Sequence, residues 1–292
     1  MQAVNSDGRQ LRALAIHDIS CIGKCSLTVA LPVMSAAGIE TAIIPTAVLS
    51  THTGGFEGFT YRDLTDDIMP IVEHWKSEGM TFDAVYIGYL GSERQIDIMK
   101  DILKEYNDAL AVIDPVMGDN GKLYATFDAS YPKLMLELCK NADIITPNIT
   151  EAVLMLGEEY THGPYTKQYV EKLITRLGAE CGTNVVLTGV HFDENELGAA
   201  VWDNQKKQVS YVMAQKLSGF YHGTGDVFAS SFVSAMMLGK TMSDSARIAV
   251  ETVRDSIVAT TVAPQQGKRC YGVNFEAALP SLIKRLSEND II

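Results

Sequence analysis

Short apolar runs and longer amphipathic segments alternate along almost the whole chain. Residues 11–17, 41–49, 84–87, 109–113, 142–146 and 185–188 read as buried strands, apolar on both faces. Between them lie stretches of helical spacing: 26–37, ended by Gly38; 62–78, ended by Gly79; then 94–106, 132–140, 148–157 and 166–178. Residues 198–202 and 208–212 read as a hairpin pair around Asn204-Gln205, and helices over 225–238, 243–261 and 274–287 close the chain. Few architectures suit such alternation, because parallel strands need crossover connections whose helices then cover the sheet. The expected fold is α/β, a three-layer α/β/α sandwich with a mostly parallel central sheet. No linker, repeat or low-complexity segment interrupts the pattern. Residues 11–292 therefore read as a single domain behind a polar, flexible extension over residues 1–10.

In open sheets of this kind, ligands bind beyond the carboxyl ends of the strands. Polar and glycine-rich clusters stand at those ends. Asp18 follows the first strand, where it can bind a polar substrate atom or cap a turn. Ser50-Thr51-His52-Thr53-Gly54-Gly55 follows the second, and its hydroxyls, imidazole and glycines suit either a substrate-facing loop or a plain surface loop. Asp114-Pro115-Val116-Met117-Gly118-Asp119-Asn120-Gly121 follows the strand ending at Ile113. Its carboxylates suit a hydrated Mg²⁺, and Asp119-Asn120-Gly121 equally suits the tip of a turn. Thr146-Pro147-Asn148-Ile149-Thr150-Glu151 opens a helix with Glu151 on the same face as Asn148. That pair can bear on a phosphate network, form a capping box, or do both.

Gly223-Thr224-Gly225-Asp226 leads straight into the apolar helical segment that follows. A helix N-terminus offers unpaired N–H groups and a dipole that favours negative charge, and glycines let its backbone approach a ligand. Asp226 in that turn can take a proton from a substrate hydroxyl. The tetrapeptide admits two readings, phosphoryl transfer to an alcohol or an ordinary helix start.

A net charge of -12 argues against a nucleic-acid partner. No apolar stretch is long enough for a membrane span, and the first residues lack a signal-peptide core. The five cysteines, Cys21, Cys25, Cys139, Cys181 and Cys270, show neither a disulfide framework nor zinc spacing. They read as reduced cysteines of a cytoplasmic protein.

Taken together, Asp114-Pro-Val-Met-Gly-Asp119, Thr146-Pro-Asn-Ile-Thr-Glu151 and Gly223-Thr-Gly-Asp226 resemble the ribokinase-like superfamily over essentially the whole chain. Ser50-Thr-His-Thr-Gly54 is similar to the pyridoxal kinase branch in particular. The resemblance implies ATP-dependent phosphorylation of the 5′-hydroxyl of a vitamin B6 vitamer, with hydroxymethylpyrimidine kinase of thiamine synthesis, or another small-alcohol kinase, as the alternative. It implies Asp226 as base and an anion hole at Gly223, Thr224 and Gly225. Asp114, Thr146, Asn148, Glu151, Thr188, Gly189, Tyr211, Val212, Met213 and Ala214 would serve the nucleotide, and Asp114 and Glu151 would also serve Mg²⁺. His52, Thr53 and Tyr86 would line the vitamer pocket. A monovalent cation and a homodimer are further family expectations. Ribokinase-type sugar kinases carry an extra β lid, and no extra strand pair is read in the early part of this chain. Two departures stand out. Asp18 replaces a serine of many pyridoxal kinases and could pair with a protonated ring nitrogen, which would alter vitamer preference. Thr188 stands where some relatives have lysine.

Overall fold

The computed structural model describes residues 3–6, 8–262 and 271–288. They form a mixed α/β structure of parallel strands flanked by helices, as the alternation implies. Two compact units make it up, one from the chain before Val85 and after Lys216, the other from Val85–Lys216.

In the first unit β1 (Arg12–Ser20) pairs in parallel with β2 (Glu40–Leu49), which pairs antiparallel with β3 (Tyr61–Asp63). Helices α1 (Leu27–Ala36) and α2 (Thr65–Ser77) belong to this unit, as do α7 (Thr224–Met237), α8 (Met242–Val262) and α9 (Leu279–Ser287). Its buried interior includes Leu14, Ile16, Val33, Met34, Ile44, Phe232 and Leu282. The β1–β2 register runs regularly from Arg12 opposite Glu40 to His17 opposite Pro45, then shifts, so that Ile19 faces Val48. Thr46 and Ala47 of β2 thus stand against the single residue Asp18. Such an irregularity re-aims side chains next to it, and this one falls on the cluster at the end of β1.

The second unit holds β4 (Ala84–Ile87) from Val85 on, β5 (Leu110–Ile113), β8 (Ile144–Ile145), β9 (Asn184–Val190), β10 (Glu196–Asp203) and β11 (Gln208–Gln215), in the order β11-β10-β9-β8-β5-β4. Strands β5, β8 and β9 are parallel, whereas β10 is antiparallel to both neighbours. Helices α3 (Glu93–Glu105), α4 (Tyr131–Cys139), α5 (Ile149–Leu156) and α6 (Lys167–Cys181) complete it, with a small hairpin of β6 (Gly118–Asp119) and β7 (Lys122–Leu123).

One local expectation is corrected. The helix expected from residue 62 begins at Thr65, because Tyr61 and Arg62 join the edge of β2 and the Asp63 carboxylate accepts the Thr65 N–H at 2.7 Å. The turn expected at Asp119-Asn120-Gly121 closes the β6–β7 hairpin, whose tip residues Asn120 and Gly121 both adopt positive φ. Within the first ten residues Val4 bridges to Gln10, Ala3 is buried, and Arg9 pairs with Asp83 at 2.8 Å. Among the described residues, Cys21, Cys25, Cys139 and Cys181 form no disulfide with one another, and Cys270 lies outside the described residues. Among the described residues, no helix is long and apolar enough to cross a membrane.

Candidate active site

The first unit gathers Asp18, His52 and Asp226. Helix α7 begins after Gly223, whose φ of 76° places it in the left-handed region, and among the described residues no side chain caps the helix. Its first-turn N–H groups therefore keep the free donors that an anion requires. A Cβ built on Gly225 would meet nothing within 4 Å, so the backbone there is open to a ligand. A Cβ on Gly223 would lie 2.2 Å from the Lys24 carbonyl oxygen, so the loop after β1 packs directly on this turn.

Asp226, in the first turn of α7, keeps 13% of its side chain exposed. Its Oδ1 lies 3.1 Å from Nε2 of His17. His17 is buried at the end of β1, and its Nδ1 lies 3.0 Å from Oδ1 of Asp18. Ser26 Oγ donates to the same Asp18 oxygen at 2.6 Å, and Ser20 Oγ donates to Oδ2 at 2.9 Å. Burial opposes charging of the His17 ring, but the hydrogen bonds to Asp18 and Asp226 and their charges outweigh it, and the ring is pushed up to about 10. Burial likewise opposes ionisation of Asp18, yet His17 and the two serines hold that carboxyl below its usual range.

His52 is buried, and its Nδ1 accepts the Gly54 N–H at 3.0 Å. Nε2 is therefore the protonated nitrogen, a buried donor that no described residue satisfies. Its ring packs against Phe56 and His222 at centroid distances of 4.9 and 4.8 Å. Thr53 beside it is exposed. Burial, then the His222 charge, lower His52 from 6.5 to about 4. Between those values the unfolded chain binds the proton that the folded chain refuses, so this residue makes stability rise with pH from about 4 to 6.5. His52→Gln is expected to flatten that rise. Urea unfolding across the same range checks it, and an unchanged slope would count against a buried neutral ring.

The second unit gathers the other cluster at the parallel ends of β5, β8 and β9. Asn148 caps α5: its Oδ1 accepts the Glu151 N–H at 2.9 Å, while Glu151 Oε2 accepts the Asn148 N–H at 2.8 Å. The capping box is real, but Glu151 does more. Its Oε1 accepts the Met117 N–H at 3.1 Å, and Asn148 Nδ2 donates to the Gly118 carbonyl at 2.9 Å. Helix α5 thereby holds the β6–β7 hairpin. Burial, then the charge of Asp114, raise Glu151 well above the usual carboxylate range, against hydrogen bonds from the backbone of Asn148, Met117 and Gly118. Asp114 is itself buried, and its N–H donates to Ile87 at 2.8 Å. The Thr146 hydroxyl is buried with no hydrogen-bond partner among the described residues.

Thr188 donates its N–H to the Pro147 carbonyl at 2.8 Å, joining β9 to the start of α5. Gly189 has φ 75° and open space where a Cβ would stand. Ala199 of β10 pairs with Thr188 on one side and Val212 on the other. Met213 and Ala214 continue β11, and Tyr211 donates its hydroxyl to Glu171 at 3.0 Å, with Lys167 over its ring. Tyr86 is fully buried in β4. Sequence reading gave no role to His17, Ser20, Ser26, Phe56, His222 or the Met117 N–H. No local pattern flags His17, since its partner Asp226 lies 209 residues away.

The profile of the phosphomethylpyrimidine kinase family matches residues 30–273. A Bacteroides thetaiotaomicron protein assigned to the phosphomethylpyrimidine kinases, in a crystal form with pyridoxal, is 35% identical with a TM-score of 0.86, covering 93% of this chain and 95% of that one. The pyridoxal kinase of Lactobacillus plantarum is 32% identical with a TM-score of 0.87, covering 94% and 97%. A pyridoxal kinase of Dictyostelium discoideum is 27% identical over 236 residues, 75% of this chain and 76% of its own.

Proposed function

The chain belongs to the phosphomethylpyrimidine kinase family, and from that premise we propose that it transfers the γ-phosphoryl group of ATP to the 5′-hydroxyl of a vitamin B6 vitamer. The observation that carries this reading is Asp226, a carboxylate in the first turn of a helix left uncapped at its N-terminus. The pyridoxal in the Bacteroides relative and the kinase name of the Lactobacillus relative point to the vitamer.

Phosphoryl transfer needs positioning and charge stabilisation more than covalent chemistry. Asp226 accepts the proton of the substrate hydroxyl, and the first-turn N–H groups over Gly223, Thr224 and Gly225 stabilise charge on the transferred group. His52 offers its unsatisfied Nε2–H to a polar atom of the vitamer. Thr53, exposed beside His52, adds a further vitamer contact. Thr188, Gly189 and the β11 residues Tyr211, Val212, Met213 and Ala214 border the nucleotide.

Asp114 and Glu151 fit Mg²⁺. Burial, then the charge of the Asp114 carboxylate, raise the proton affinity of Glu151, and a cation would relieve the repulsion between the two carboxylates. Glu151 already accepts two backbone N–H groups, so it suits a water of the ion better than the ion itself. Among the described residues no cluster of three or more His, Cys, Asp or Glu side chains could hold a metal. That suits an ion that keeps several waters. When bound, Mg²⁺ neutralises phosphate charge. The buried, unpartnered Thr146 hydroxyl is a further group for that network. The family resemblance also carries a monovalent cation, a homodimer and a cytoplasmic location into this proposal.

A second reading, hydroxymethylpyrimidine kinase, is favoured by the description of the matching family. Assay of the purified protein with ATP and Mg²⁺ across pyridoxal, pyridoxamine, pyridoxine and hydroxymethylpyrimidine separates the two. Turnover of a B6 vitamer is the expected result. Turnover of the pyrimidine alone would replace it with the second reading, and no transfer to any alcohol would remove both.

A further inference from the structure

We propose that His17 is a positioning residue for Asp226, holding its Oδ1 while Asp18 fixes the imidazole from the other side. This rests on the reading of Asp226 as the base. The chain Ser26–Asp18–His17–Asp226 has heavy-atom separations of 2.6, 3.0 and 3.1 Å in turn, and Ser20 closes its far end at 2.9 Å. The register shift between His17 and Ile19 makes this possible. In a regular strand, neighbouring side chains leave on opposite faces; at the shift, those of His17 and Asp18 meet.

Asp18 is thereby given a task inside the protein. Its side chain is 7% exposed, and both oxygens already accept hydrogen bonds. His17 occupies Oδ1 of Asp226, and Oδ2 takes no hydrogen bond from the described residues. One carboxylate oxygen is thus fixed and the other is left for a substrate hydroxyl. The backbone nitrogen of Asp18 also lies 3.0 Å from Nδ1, a contact that a neutral ring would accept. Two carboxylates against one buried ring favour the second proton instead, which then leaves the trio with one net negative charge. Among the described residues, His52, after β2, bears electrostatically on Asp18 and Asp226, and His222, before α7, bears on His52. Helix α1 carries no charge. On α8, Arg247 pairs with Asp244, while Glu251 and Asp255 pair with Arg285 of α9.

The test compares wild type with His17→Gln and Asp18→Ser. His17→Gln keeps a hydrogen-bond donor but removes the charge. It is expected to lower kcat about tenfold, a fraction of a general base's full contribution, while KM for the vitamer holds. The acid limb of the kcat/KM profile should move to higher pH, because removing an adjacent cation removes an interaction that favours the charged form of a carboxylate. Asp18→Ser should shift the profile in the same direction and leave the ranking of vitamers alone. An unmoved profile in His17→Gln would overturn the proposal. So would an altered vitamer ranking with an unmoved profile in Asp18→Ser, which would return Asp18 to the substrate ring. Imidazole ¹⁵N spectra of the wild-type protein read the ring without any assay: His17 should carry protons on both nitrogens at pH 7.5, and a neutral ring would overturn its charged role. If wild type transfers no phosphoryl group, the proposed activity fails, whereas normal activity with an unmoved variant profile is a failure of His17's role alone.

Discussion

Asp226→Asn is expected to lose about a hundredfold or more in kcat while keeping vitamer and nucleotide KM nearly unchanged. The amide is nearly isosteric with the carboxylate and can still meet His17, so the start of α7 should survive. What it cannot do is take a proton. Because the helix is uncapped and its first N–H groups remain, binding of an anionic group there should persist. Steady-state kinetics with separate variation of ATP and vitamer check this. Turnover within a few-fold of wild type would remove Asp226 from the role of base. A large rise in KM with kcat intact would make it a binding residue instead.

Gly223→Ala is expected to damage both fold and activity. At φ 76° any L side chain is strained, at a cost of about 1–2 kcal/mol. The added Cβ would stand 2.2 Å from the Lys24 carbonyl oxygen, a backbone atom that no rotamer change can move aside. Lys24 is itself at φ 54° and ion-paired with Glu276 at 2.7 Å, so its loop has little freedom to yield. A total of about 2–4 kcal/mol follows, lowering Tm by roughly 3–7 °C, with turnover falling more than tenfold as the first turn shifts. Gly225→Ala is the control. Open space surrounds its Cβ, so Tm should stay within about 2 °C of wild type, in keeping with a substitution that meets no neighbour. Lost turnover in that well-folded variant would mean that a ligand uses the space. An unchanged Tm in Gly223→Ala would show that the loop yields after all.

Much of the second cluster was legible locally. Asn148 and Glu151 stand three residues apart at a helix start, and that spacing alone produces the reciprocal cap. The same carboxylate's bond to Met117, across 34 residues, was not legible. The missed strand β3 exemplifies the same limit. Tyr61, Arg62 and Asp63 carry no strand pattern of their own and are extended because the edge of β2 pairs with them.

Apolar periodicity and punctuation by glycine determined the order of strands and helices, because a run apolar on both faces must be buried and a striped one must cover it. They also determined which polar clusters stand at strand ends, since those clusters follow their strands directly. The tertiary structure alone decided what Asp18 touches. A one-residue mismatch between β1 and β2 turns it toward His17, and the fold brings Asp226 to the same ring from far along the chain. Such a contact depends on how strands register and how a distant helix packs, and neither is written in the residues next to Asp18.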